Sequence, residues 1–82
     1  MNKRKLLDKI LSGSKNVRFD DLVALAEGFG FRLSRVRGSH HIFVHPDVPE
    51  ILNLQNHEGQ AKPYQVRQLL DLVERYHLKL ED

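Results

Sequence analysis

The stretch RVRGSHHIFVHP, residues 35–46, gathers two arginines, a glycine, a serine and three histidines in one short segment. An imidazole titrates near neutrality and can both take and give a proton. Guanidinium groups beside it stabilise the charge that develops on phosphoryl oxygens. His40, with Arg35, Arg37, Gly38 and Ser39 around it, therefore has the residue types that phosphodiester chemistry needs. A plainer role fits the same residues, in which His40 only hydrogen-bonds at a strand edge.

These groups work together only if a hairpin holds them. FRLSRVR and SHHIFVH alternate as strands do, and the spacing predicts a two-residue turn at Arg37-Gly38 in which glycine supplies positive φ. Alternation puts His40 and His41 on opposite faces of the sheet. Which face is inside stays open from pattern alone, because Ile42 and Val44 share the face of His40 while Phe43 shares that of His41. His45, before Pro46, is expected at a strand end. Pro46 to Glu50 reads as a turn with two prolines, ILNLQ as a third short strand, and NHEGQAK as a connector.

Helices flank this sheet. Leu6, Leu7, Ile10 and Leu11 mark one face of a helix over about residues 3–11, stopped by Ser12-Gly13 and followed by the loop SGSKN. Phe19, Leu22, Val23 and Ala26 mark a second helix from about Arg18 to Glu27, with Asp20 and Asp21 in the first turn, where the helix dipole favours acids. Gly28 and Gly30 end it. Pro63 suits the first position of a third helix, whose buried face is Val66, Leu69, Leu70, Val73 and then Tyr76 or His77. Lys62 and Tyr64 stand at its N-terminus, where free N–H groups attract anions, although by themselves they are better accounted for by a solvated first turn. The order α-α-β-β-β-α implies an α+β fold: a three-stranded antiparallel sheet with helices on one face and the other face open.

With 82 residues, 40% of them hydrophobic and 29% charged, the chain reads as one small soluble domain. No apolar run approaches the roughly 20 residues of a membrane span, so no membrane role is expected. The basic start MNKRKLLDKILSGS is broken by Asp8 and Lys9, which argues for a helix and against a signal peptide. The absence of cysteine favours the cytoplasm. Without cysteine, and with no H-x3-H pair and carboxylate on one helix, neither a metal centre nor a cofactor is expected. The net charge of +2 hides an asymmetry: residues 1–40 hold nine Lys and Arg against four acids, residues 41–82 four against seven. A basic half suits a polyanion such as RNA, and an acidic half a basic partner.

GFRLSRVRGSHHIF resembles the G-(F/W)-x-x-x-x-x-x-G-S-H signature of the HicA toxins, small mRNA interferases of bacterial toxin–antitoxin pairs. The resemblance runs from roughly Arg18 to Leu78, with the N-terminal helix, within residues 1–15, outside it. The family's fold is double-stranded-RNA-binding-like. The resemblance implies that His40 is the catalytic histidine and Gly38 the turn glycine, with Ser39 between them. It implies a metal-independent endoribonuclease acting on mRNA, and a HicB-type antitoxin as protein partner. By their own chemistry Arg35, Arg37, Gly38 and Ser39 at the turn, and Lys62 and Tyr64 at the helix N-terminus, would bind the RNA. The segment LQNHEGQAKPYQVRQLL departs from the family's usual Pro-x-His and Gly-(T/S)-Leu helix start. The group that complements His40 is open between water, His57 and Lys62. Two other readings also fit the residues: a non-catalytic RNA-binding module, and a protein-interaction module that offers its open face to a partner.

Overall fold

The computed structural model describes residues 2–13 and 15–81, so Ser14 of the SGSKN loop lies outside the described residues. The helices are α1 (Lys3–Leu11), α2 (Phe19–Gly28) and α3 (Pro63–Arg75). The strands are β1 (Val17–Arg18), β2 (Arg32–Arg37), β3 (His40–His45), β4 (Val48–Gln55) and β5 (Gln60–Ala61). The main sheet is antiparallel in the order β2-β3-β4, as the α+β reading expects. A second, two-residue ladder pairs β1 with β5, where the sequence predicts a helix start at Arg18 and a connector over residues 56–62.

Each helix is bounded by local chemistry. Asn2 Oδ1 accepts the Lys5 N–H at 2.8 Å and caps α1. The α2 N-terminus is held from outside, because Phe19 N–H donates to Gly59 O at 2.9 Å. Its C-terminus closes as a Schellman motif: Phe31 N–H donates to Ala26 O and Gly30 N–H to Glu27 O, with Gly30 at φ +98°. Gly28 is therefore the last helical residue, and Gly30 alone supplies the left-handed turn. A Cβ at Gly30 would stand 2.7 Å from His45 Nε2, so the close approach also requires glycine there. Pro63 opens α3 at N1 as expected.

Leu22, Leu25 and Ala26 of α2 and Leu69 and Leu72 of α3 meet Phe43, Leu52 and Leu54 of the sheet in one apolar cluster. Leu6 and Ile10 bring α1 into it. At about 25 cal/mol per Å2 of apolar area, this burial is the main stabilising term. On the far side, Arg75 Nη1 reaches both Glu50 oxygens, at 2.8 and 3.0 Å, and ties the end of α3 to β4. The Glu50 carboxylate is the chief cause of the raised pKa of Arg75.

Two turns sit differently from the sequence reading. Arg37 pairs with His40, which makes Gly38-Ser39 the hairpin turn in place of Arg37-Gly38. Positive φ (+59°) at Gly38 and none at Ser39 is the pattern of a type II′ turn. The segment 46–50 is not a turn throughout: His45 pairs with Val48, so the chain reverses at Pro46-Asp47 and β4 already includes Pro49 and Glu50. Proline is tolerated there because β4 is an edge strand.

Candidate nucleic-acid interface and histidine site

Register decides which side chains share a face. Across the sheet, Arg37 lies opposite His40 and His40 opposite Gln55; Arg35 lies opposite Ile42 and Ile42 opposite Asn53. Paired residues in an antiparallel sheet project to the same side. On the other side, His41 and Phe43 face the helices: the His41 ring sits 4.8 Å from that of Phe19, and Phe43 is 1% exposed. His41 is therefore the packing member of the histidine pair, its Nδ1–H donating to Ser39 O at 3.2 Å. His40 lies on the open face, exposed, together with Arg35 and Arg37.

A bulge adds a third arginine. Arg32 lies opposite Val44, and the register shifts between Leu33 and Arg35. The extra residue, Ser34, resets the alternation, so that Arg32, Arg35 and Arg37 all occupy the open face. Strict alternation would have separated Arg32 from Arg35, and the sequence reading missed Arg32 for that reason. Among the described residues none of the three is in a salt bridge.

His40 Nδ1 lies 3.2 Å from Asn53 Oδ1, its diagonal neighbour on β4. A carboxamide oxygen only accepts, so in the neutral ring this contact places the proton on Nδ1 and the free lone pair on Nε2. Asn53 was not singled out in the sequence; the alternation of β4 identifies it once the β3–β4 register is known. Ser39 Oγ accepts from Gln55 Nε2 at 3.3 Å, and Ser39 O accepts from Asn56 N–H at 2.9 Å. These bonds fix the turn beside His40 to the end of β4.

The other histidines are placed apart from this face. His45 is locked between two backbone groups: Asp47 N–H donates to Nδ1 at 3.0 Å, so Nε2 carries the proton and donates to Phe29 O at 3.0 Å. His57 sits in the Asn56–Gln60 hairpin, with Nε2 buried and without a hydrogen-bond partner. His57 and Lys62 line a 710 Å3 hollow together with Lys15, and Tyr64 lines another with Arg67 and Gln68. Neither hollow includes His40, Arg35 or Arg37, so Lys62 and Tyr64 are not part of the His40 cluster.

The N-terminal end of α3 nevertheless abuts that cluster through Gln65, which is 1% exposed. In the amide orientation that satisfies both groups, Gln65 Nε2 donates to Gln55 O at 2.9 Å and Oε1 accepts from Gln55 N–H at 2.7 Å. A buried glutamine thus plays the part of one strand residue against the edge of β4. The sequence places Gln65 near the helix N-terminus as a first-turn polar residue, which is ordinarily solvated, so its contact with β4 is not legible there.

Among the described residues no helix is long and apolar enough to cross a membrane. No curated protein matches the chain. The family model described as the HicA toxin of bacterial toxin–antitoxin systems matches residues 19–74 of the 82, from the first residue of α2 to the last turn of α3. With more than half of its length matched by that model, the chain belongs to the HicA toxin family.

Proposed function

We propose that this toxin is a metal-independent endoribonuclease that cleaves mRNA in the cytoplasm with His40 as its catalytic residue. The observation that carries the reading is the His40–Asn53 contact, which holds the ring through Nδ1 and, in the neutral ring, leaves Nε2 free to act as a base on an open face beside Arg35 and Arg37. In this mechanism Nε2 takes the proton of a ribose 2′-hydroxyl. The 2′-oxygen attacks the adjacent phosphorus, and the 5′-oxygen leaves with a proton from a second donor. The products are a 2′,3′-cyclic phosphate and a 5′-hydroxyl. The arginines stabilise the charge on the non-bridging oxygens, while Gly38 and Ser39 shape the turn against which the backbone lies. His57 Nε2 is buried and Lys62 stands outside the His40 cluster, so water serves better than either as the second donor. Lys62 and Tyr64 extend the RNA path toward α3.

The chemistry requires a 2′-hydroxyl, which only RNA has. An RNA oligonucleotide should be cut, and the same oligonucleotide with one 2′-deoxy residue 5′ to the cut phosphate should resist cleavage at that bond. Cleavage of the deoxy-substituted bond refutes the mechanism, and binding of both without cleavage makes the chain an RNA-binding module.

Phosphate contacts release counterions, so Arg32→Ala, Arg35→Ala and Arg37→Ala should each flatten the dependence of log affinity on log salt by about 0.7 for single-stranded RNA. Arg75→Ala, whose guanidinium is already tied to Glu50, should leave that slope unchanged. Binding isotherms at several salt concentrations read both outcomes.

Family membership implies an antitoxin partner. A HicB-type antitoxin that covers the Arg35–His45 hairpin silences such an enzyme by occlusion, and the basic face gives it fast, salt-sensitive association.

A further inference from the structure

The two edges of the main sheet are treated differently. On the β4 edge, Pro49 lacks an N–H and the Gln65 amide bonds both backbone groups of Gln55. The β2 edge has no such cover: all six of its residues are exposed, and none is proline or lysine. The bond from Asn56 N–H to Ser39 O sets the phase of the ladders, so that odd-numbered residues of β3 bond to β4 and even-numbered ones to β2. Leu33 and Val36 lie opposite Phe43 and His41, and their own N–H and C=O groups therefore point to the free edge. Their side chains, on the helix side of the sheet, are 48% and 49% exposed.

We propose that β2 is the docking edge for an extended acidic segment of the antitoxin, which adds to the sheet as a fourth strand. This rests on the reading that a partner protein silences the chain. Charge decides the occupant. A second copy paired along β2 would set Arg32, Arg35 and Arg37 against the same three arginines, and like charges opposite one another are destabilising. A strand with acids at alternate positions meets those arginines on the open face, and its intervening apolar residues cover Leu33 and Val36. Backbone bonds supply affinity and the alternate side chains supply specificity, as in other β-strand additions. The acids also occupy the arginines that RNA phosphates require. Competition for the arginines along β2 then adds to the occlusion of the hairpin that carries His40.

The test uses the whole chain and a capped synthetic peptide that alternates Glu and Val, with NMR amide exchange as the readout. Two further peptides carry N-methyl groups on one or the other alternate set of residues. Strand addition predicts slowed exchange at the Leu33 and Val36 amides. It predicts that one methylated peptide is weakened about tenfold or more while the other, whose methyl groups face away, binds like the parent. A peptide with Lys in place of Glu should not bind. The proposal is overturned by equal binding of both methylated peptides, by a free chain that dimerises through β2, or by no binding at about millimolar peptide. Failure of the nuclease reading is seen separately, as a free chain that does not cut RNA.

Discussion

His40→Ala is expected to abolish RNA cleavage and leave the fold intact. A positioned general base or acid contributes about 10^2–10^4 in rate, so the purified variant should fall by at least that range. The stability cost should stay within about 1 kcal/mol, because His40 is exposed and loses one long surface hydrogen bond to Asn53. Cleavage assays and denaturant midpoints on the same preparation separate the two effects. Asn53→Ala should fall between wild type and His40→Ala, since it frees the ring to rotate without removing it. A His40→Ala protein that cuts RNA at the wild-type rate would place the chemistry on another residue.

Phe43→Ala is expected to be the most damaging single change to the scaffold, at about 3–5 kcal/mol. Phe43 is 1% exposed at the centre of the middle strand, opposite Leu33 on β2 and Leu52 on β4. Neighbours on both sides are held by the ladder, so the cavity cannot collapse freely. A domain of this size has a total stability at the low end of about 5–15 kcal/mol, and the variant should be largely unfolded at 37 °C. Val36→Ala, on the same face but at the uncovered edge, should cost far less. Equal losses in chemical denaturation would mean that β2 is covered in solution.

What the residues alone revealed, and what they did not, follows the range of the interactions involved. The three helices and the Gly38 hairpin were legible because their signals are local: periodic apolar positions, Pro63 at a helix start, a glycine at positive φ. The β1–β5 ladder was not, since two residues per strand carry no periodicity and only Val17 and Ala61 turn inward. Pro49 read as a turn because its acceptability depends on β4 lying at an edge, which is a property of the whole sheet. Within the site, the grouping of His40 with Arg35 and Arg37 was visible from their nearness to one glycine turn. Asn53 required a cross-strand register, Arg32 a bulge, and Gln65 the docking of a helix against a strand end.

The bulge in β2 also bears on how the gene can vary. The turn at Gly38-Ser39 fixes Arg35, Val36 and Arg37 against β3, and Ser34 is the residue that the ladder steps over. Loss of that one codon would let Leu33 and Arg32 keep their places opposite Phe43 and Val44, with no side chain exchanging faces. A codon lost between Arg35 and the turn would instead carry every upstream arginine to the opposite side. β2 can therefore change length at one point without loss of its basic face, and length variation among descendants of this gene should collect at Ser34.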